Sequence, residues 1–181
     1  MNLLINGSNR EKNNYNILKD LQTENDELIS LANKDIKFCL GCNSCIKKLD
    51  NYCILDDYIT NEIYPKLIEA KKIILASPLY ISQITGLLKT LIDRFYPFYN
   101  LGYFKDKQIY LILTGHGTEE ENKDEIQAII NYFQGVSEWM PFNFKFLSYF
   151  TSGDIEKEDD VKLVNKNYYE KIDEIKKILN N

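Results

Sequence analysis

All four cysteines of the chain fall in one short stretch, Cys39, Cys42, Cys45 and Cys53, with the spacing Cys-x2-Cys-x2-Cys-x7-Cys. Four thiols within fifteen residues of a 181-residue chain are hard to ascribe to random burial. Thiolates ligate zinc and iron–sulfur clusters, and thiols form disulfides or carry redox chemistry. A Cys-x2-Cys-x2-Cys run with a more distant fourth cysteine is typical of iron–sulfur ligation. Four-thiolate zinc sites more often pair two separated two-cysteine knuckles. Empty or oxidised thiols and a disulfide complete the alternatives. Lys47 and Lys48, inside the same stretch, put positive charge where a cluster would be negative.

A second set of candidates lies in polar loops that follow apolar runs. Gly7-Ser8-Asn9-Arg10, with Asn13, Asn14 and Tyr15, separates the run Leu3 to Asn6 from a helical pattern through Ile17, Leu18 and Leu21. A strand, a glycine-containing loop and a helix in that order aim backbone N–H groups at one point, which suits a phosphate. Ser8 and Asn14 add neutral donors and Arg10 a charge-assisted one. A plain turn with a helix cap is the competing reading. Neither the Gly-x-Gly-x-x-Gly fingerprint nor a Gly-Lys-Ser/Thr loop is present. Ser77-Pro78-Leu79-Tyr80-Ile81-Ser82 and Thr114-Gly115-His116-Gly117-Thr118 are two further loops of this kind. His116 is the sole histidine, placed either to touch a ligand or to sit in a solvated turn.

These loops need elements to position them. Short apolar runs read as buried strands at Leu3–Asn6, Glu27–Ala32, Lys72–Ala76 and Gln108–Leu113, and Phe142–Leu147 alternates as an edge strand does. Helical spacing runs from an Asp56–Asp57 cap through Ile59 to Ala70, with Pro65 opening or kinking the helix. Further helices are expected over about 85–95 and 122–133, and a last one from the acidic run Glu156–Asp160 to Leu179. Tyr96-Pro97-Phe98-Tyr99 reads as an aromatic loop, and with Trp139 as core or a subunit interface. Asp93 and Arg94 read as structural. Alternating strands and helices predict an α/β domain with a parallel sheet covered on both faces, in which ligands bind beyond the carboxyl ends of the strands.

Length and composition set outer limits. The chain is read as one domain, 1–181, with 44% hydrophobic residues and a net charge of −5. That acidity disfavours nucleic acid, while leaving room for one small anion. The N-terminal apolar run is too short for a signal peptide, and no stretch approaches the roughly 20 residues of a membrane span. A cytoplasmic protein without membrane contact is expected.

Three segments, taken together, resemble the flavodoxin-like NAD(P)H-dependent FMN reductase family, and its iron–sulfur flavoprotein branch in particular. They are Gly7-Ser8-x-Arg10 with Asn14; the cysteine box running into Asp56-Asp57; and Ser77-Pro78-Leu79-Tyr80, Gly86 and Leu88-Lys89-Thr90-Leu91-Ile92-Asp93-Arg94. The resemblance covers about Met1 to Thr118. It implies a flavodoxin-like three-layer sandwich with a five-stranded parallel sheet in the order 2-1-3-4-5. It implies FMN, with Ser8, Arg10 and Asn14 on its phosphate and Tyr15 at a position usually held by a small hydroxyl residue. Pro78, Leu79, Tyr80 and Ile81 would wrap the ribityl chain and ring edge, and Thr114, Gly115 and His116 would border the ring's other side. In that branch the cysteine run holds a [4Fe–4S] cluster, here by Cys39, Cys42, Cys45 and Cys53.

The activity implied is transfer of electrons from NADH or NADPH through FMN to a small acceptor or redox partner, by a homodimer or homotetramer. No side chain is expected to act as a catalytic acid or base, because the flavin carries the chemistry. The alternative is a flavodoxin-type electron carrier with no nicotinamide activity.

Overall fold

The computed structural model describes residues 1–47, 53–153 and 160–180. Five parallel strands form one sheet in the order β2-β1-β3-β4-β5, the order expected. They are β1 (Asn2–Asn6), β2 (Glu27–Ser30), β3 (Lys72–Pro78), β4 (Gln108–Gly115) and β5 (Asn143–Thr151). The three central strands are apolar at nearly every position because both faces are covered. Leu3, Ile5, Ile73, Leu75, Ile109, Leu111 and Leu113 join one core, and Leu4, Ile74, Ala76, Tyr110 and Ile112 join the other.

The first core is closed by α3 (Tyr64–Glu69), α4 (Gly86–Asp93), α5 (Tyr96–Leu101) and α6 (Lys123–Trp139). The second is closed by α1 (Asn13–Leu21), α7 (Val161–Val164) and α8 (Tyr168–Asn180). A one-turn helix, α2 (Ser44–Lys47), lies inside the cysteine box and has no buried residue.

Several expectations change at element ends. The helix before Pro65 opens with a π-helical turn, Ile59–Ile63, and Pro65 then stands in the first turn of α3. Proline has no N–H to donate to the preceding turn, and a widened turn absorbs that gap. The stretch Tyr96–Tyr99 is not a loop but the start of α5, with Pro97 at its N-terminus and Phe98 buried. Helix α6 runs on from Phe133 to Trp139. β5 runs to Thr151 rather than stopping at Leu147, with a register break opposite Leu111 and Ile112. The single C-terminal helix is instead two, α7 and α8, parted at Asn165. Most of the acidic run expected to start it, Glu156 to Asp159, lies outside the described residues, as does Lys48.

Two contacts fix the carboxyl edge of the sheet. A Cβ on Gly7 would meet Leu88 Cβ at 2.8 Å and the Ala76 carbonyl at 3.0 Å, so glycine alone lets β1 pass beneath α4. Thr85 caps α4 by accepting from Leu88 N–H at 3.0 Å and donates to the Gly7 carbonyl at 2.5 Å.

Candidate functional site

The carboxyl ends of β1, β3 and β4 deliver their loops to one cavity of about 160 Å³. Ser8, Arg10 and Asn14 line it from the β1 side, Pro78, Leu79 and Tyr80 from β3, and Thr114, Gly115 and His116 from β4. Those are nine of the eleven non-cysteine residues singled out from the sequence. Tyr15 and Ile81 are not in the lining.

The first loop is built by Asn6, which is fully buried. Its side-chain oxygen accepts from Ser8 N–H at 3.1 Å, and its amide donates to the Arg10 carbonyl at 3.2 Å and Ser30 Oγ at 3.0 Å. Ser8 Oγ in turn accepts from Arg10 N–H at 3.2 Å. The loop is thereby wound so that its end meets the N-terminus of α1, whose first N–H groups have no helical acceptor. Asn14 is buried there, and its side-chain oxygen has no partner. Lys12 and Asn13 complete that wall. Helix N-terminus, donors and two cations make a local anion site on an acidic chain.

The second loop is strained. Tyr80 N–H donates to the Gln83 carbonyl at 2.8 Å, and Gln83 N–H returns to Tyr80 at 3.2 Å. Between them Ile81 (φ 49°) and Ser82 (φ 57°) both take the left-handed conformation. A β-branched residue is disfavoured there, and Ile81 is 99% exposed. Its side chain stands exposed outside the cavity lining. Leu79 is held to the cavity by its N–H on the Thr114 carbonyl at 2.7 Å.

The third loop is held from β5. The buried Tyr149 hydroxyl meets the carbonyls of His116 at 3.1 Å and Gly117 at 3.2 Å, and accepts from Asn122 Nδ2 at 3.1 Å. Burial, with the charges of Glu119, Glu121 and Glu125, pushes this phenol up to about 12, so it stays a neutral donor. A Cβ on Gly115 would meet that hydroxyl at 2.8 Å. His116 Nδ1 lies 2.7 Å from the Gly153 carbonyl, which can only accept, so Nδ1 carries a proton there. Glu121 and Thr118 bond reciprocally, and the Thr118 N–H and hydroxyl hold the Glu121 carboxyl below its ordinary range.

Sequence reading missed Asn6, Lys12, Asn13, Tyr149 and Ser152. Tyr149 acts on a loop more than thirty residues away across the sheet, which no local pattern signals, while Asn6 holds the loop directly after it from a position that reads as the end of a buried strand. Asn13 stood in the quoted loop and was open to inclusion.

The cysteine box lies at a separate cavity of about 320 Å³, lined by Cys39, Cys42, Cys45 and Cys53 with Asp93, Arg94, Tyr96 and Pro97. None of the four is joined in a disulfide. Burial pushes the Cys45 thiol up, and the other three cysteines add to it, whereas the Ser44 hydroxyl and N–H draw Cys42 down. Among the described residues, no three His, Cys, Asp or Glu side chains are gathered to hold a metal ion. The four cysteines expected to hold a [4Fe–4S] cluster are therefore not assembled around one point, and neither is a four-thiolate zinc site. The box is tied to the domain by Arg94, whose guanidinium pairs with Asp57 at 2.8 and 3.1 Å. Burial alone would raise the Asp57 carboxyl, but Arg94 and the N–H groups of Lys37 and Thr60 outweigh it and hold it low.

A parallel sheet in this order, with helices on both faces and ligand loops at its carboxyl edge, is the flavodoxin-like doubly wound fold. The sequence pattern of the NADPH-dependent FMN reductases matches residues 2–137, and the chain belongs to that family. An iron–sulfur flavoprotein of Methanocaldococcus jannaschii is 38% identical over 109 residues, which are 59% of this chain and 54% of that protein. One from Archaeoglobus fulgidus is 35% identical over 98 residues, 51% of this chain and 47% of that one. The chain thus spans about half the length of these relatives, and the iron–sulfur flavoprotein branch is the part of the family it resembles.

Two solved structures share the fold. An FMN-dependent NADH-azoreductase from Bacillus anthracis, in complex with FMN, superposes with a TM-score of 0.62 at 14% identity, over 99% of each chain. The Trp repressor binding protein from Bacillus subtilis gives 0.60 at 18% identity, over 90% of each. Among the described residues, no helix is long and apolar enough to cross a membrane.

Proposed function

We propose that the chain is an FMN-dependent oxidoreductase that takes electrons from NADH or NADPH and passes them to a small acceptor or redox partner. The observation that carries this reading is the meeting of three strand-end loops around one cavity whose β1 wall is an anion site. The residues present fit FMN. Ser8, Asn14 and the first N–H groups of α1 would hold the phosphate, with Arg10 and Lys12 supplying charge. Pro78, Leu79, Tyr80, Thr114, Gly115 and His116 line the rest of the same cavity and would border the sugar chain and ring.

When bound, FMN supplies hydride and single-electron chemistry. The chain binds and orients: Leu79 and Thr114 fix the loop that borders the ring, and Tyr149 fixes the backbone of His116 and Gly117. No side chain in the lining is required to move a proton. The test is to add NADH or NADPH to FMN-loaded protein and follow flavin absorbance. Bleaching is expected. FMN binding without bleaching favours the electron carrier, and no FMN binding sinks both.

The name iron–sulfur flavoprotein carried by the relatives supports a [4Fe–4S] group as a second cofactor, with Cys39, Cys42, Cys45 and Cys53 as its ligands. A cubane places each thiolate on its own iron, so its ligands ring a cavity rather than crowd one point, and all four cysteines line the second cavity. Iron and acid-labile sulfide in anaerobically prepared protein test this, and their absence removes the group. Exposed Phe38, Leu40, Tyr99 and Trp139 support the homodimer or homotetramer, which sedimentation measures.

A further inference from the structure

Asn13 is the first residue of α1 and lines the β1 wall of the flavin cavity, half-buried. It lies outside the Gly-Ser-x-Arg and Asn14 signature. Its Oδ1 accepts from Val161 N–H at 3.2 Å, across 148 residues of chain. Val161 opens α7, where a helix has N–H groups without helical acceptors. An N–H can only donate, so this bond sets which way round the carboxamide stands. Oδ1 faces α7, and Nδ2, a donor, lies on the other side.

Val161 is itself held firmly. Asn165, 9% exposed, uses its whole carboxamide on backbone: Oδ1 accepts from Thr151 N–H at 3.2 Å, and Nδ2 donates to the carbonyls of Thr151 at 2.8 Å and Val161 at 2.6 Å. The Val161 side chain is fully buried in the second core. At the far end of α1, Asp20 meets Lys162 Nζ at 2.8 Å and accepts from the Tyr168 hydroxyl at 2.9 Å. The end of β5, the start of α7 and both ends of α1 are thus braced together. The same end of β5 reaches the cavity, where Ser152 joins the lining and its N–H donates to the Gly115 carbonyl at 2.8 Å. Val161 and Asn165 lie beyond residues 2–137, which the family pattern matches.

We propose that Asn13 is a phosphate-binding residue, donating Nδ2–H to the FMN phosphate, and that Asn165 is the positioning residue that aims it through Val161. This deepens the flavin reading and rests on it. A carboxamide serves an anion only one way round. Turned over, Asn13 would set Oδ1, an acceptor, against the phosphate oxygens and leave the Val161 N–H without its bond. The brace from β5 through Asn165 and Val161 removes that choice before the ligand arrives, so the donor is in place at no cost of reorientation.

The experiment measures FMN and riboflavin dissociation constants for wild type, Asn13→Ala, Asn165→Ala and the double variant. All are uncharged changes that leave Arg10 and Lys12 in place. Riboflavin lacks the phosphate, so the FMN-to-riboflavin affinity ratio reads the phosphate contact, whereas a merely structural loss moves both ligands together. Each single variant is expected to lose about tenfold in that ratio, the scale of one hydrogen bond to a charged group. The double variant loses no more than Asn13→Ala, because Asn165 acts through Asn13. If Asn165→Ala does not fold, Val161→Pro removes the N–H that Asn13 accepts. Proline suits a first helical position, and Asp160 before it is already extended at φ −71° and ψ 127°. The same loss of ratio is expected. Variants that fold and keep the wild-type preference for FMN overturn the inference and leave the flavin reading standing. Losses that multiply in the double variant overturn the role of Asn165. Wild-type protein that binds neither flavin overturns the inference and the flavin reading together.

Discussion

Asp57 and Arg94 show what one buried pair does for a segment with little core of its own. Cys39, Leu40 and Cys42 are exposed, and α2 buries nothing. What holds the box is polar: Asp57 accepts from Lys37 N–H at 2.9 Å and Thr60 N–H at 3.1 Å, and Arg94 reaches the Lys37 carbonyl. Removing one partner of a buried pair costs about 3–5 kcal/mol, because the other charge is left without compensation. Asp57→Asn is therefore expected to lose about that much at neutral pH. The loss also has a pH signature. The folded Asp57 carboxyl is held below its unfolded value of about 3.9, so its contribution is complete above that pH and fades as pH falls through the folded value. Urea midpoints of wild type and variant should differ most at pH 5–7 and converge below about pH 3.9. A constant gap down to pH 2 would show that the Asp57 charge contributes nothing.

At the scale of elements, the turn after β3 is where sequence and structure part. The five strands and both helical layers were legible because buried strands and amphipathic helices write their periods into the chain, whereas the strand order and most of the nine cavity residues followed from the family resemblance. The Ser-Pro-x-Tyr segment was legible as a ligand loop, but not the two left-handed residues that follow it. Ile81 gives no warning of φ 49°, since isoleucine is among the residues least suited to it. The conformation comes from the Tyr80–Gln83 pairing and not from local preference. Ends of elements were equally opaque: α6 and β5 continue past their apolar patterns because neighbouring elements, not their own periodicity, cover Met140 and Phe150. The strained turn is open to test. Left-handed backbone costs a non-glycine residue about 1–2 kcal/mol, part of which glycine gives back through its freer unfolded chain. Ile81→Gly should raise stability by about 0.5–1 kcal/mol in urea titrations. Because the side chain points to solvent, FMN affinity should change less than twofold. A tenfold loss of FMN affinity would restore Ile81 to the site.

For the whole molecule, the flavin cavity is assembled from parts distant in sequence, held against one another by a few polar contacts. Thr85 ties the β1 loop to α4, the Leu79 N–H ties the β3 loop to β4, and Tyr149 ties the β4 loop to β5. A ligand that bridges these loops binds the folded chain and not the unfolded one, so it must stabilise the whole domain. At one hundred times its dissociation constant, a single FMN adds about 2.7 kcal/mol. For a chain of this size that is about 5–11 °C in thermal midpoint. The chemistry of the β1 wall sharpens the expectation. The net charge of −5 repels anions at long range, so attraction must come from α1, Arg10 and Lys12 at contact. Riboflavin has the same ring and sugar chain without the phosphate, and at equal concentration it should give less than half the FMN shift. Inorganic phosphate should compete with FMN and not with riboflavin. If riboflavin stabilises the protein as well as FMN does, the β1 loop is not a phosphate site, and the ligand is held by the β3 and β4 loops alone.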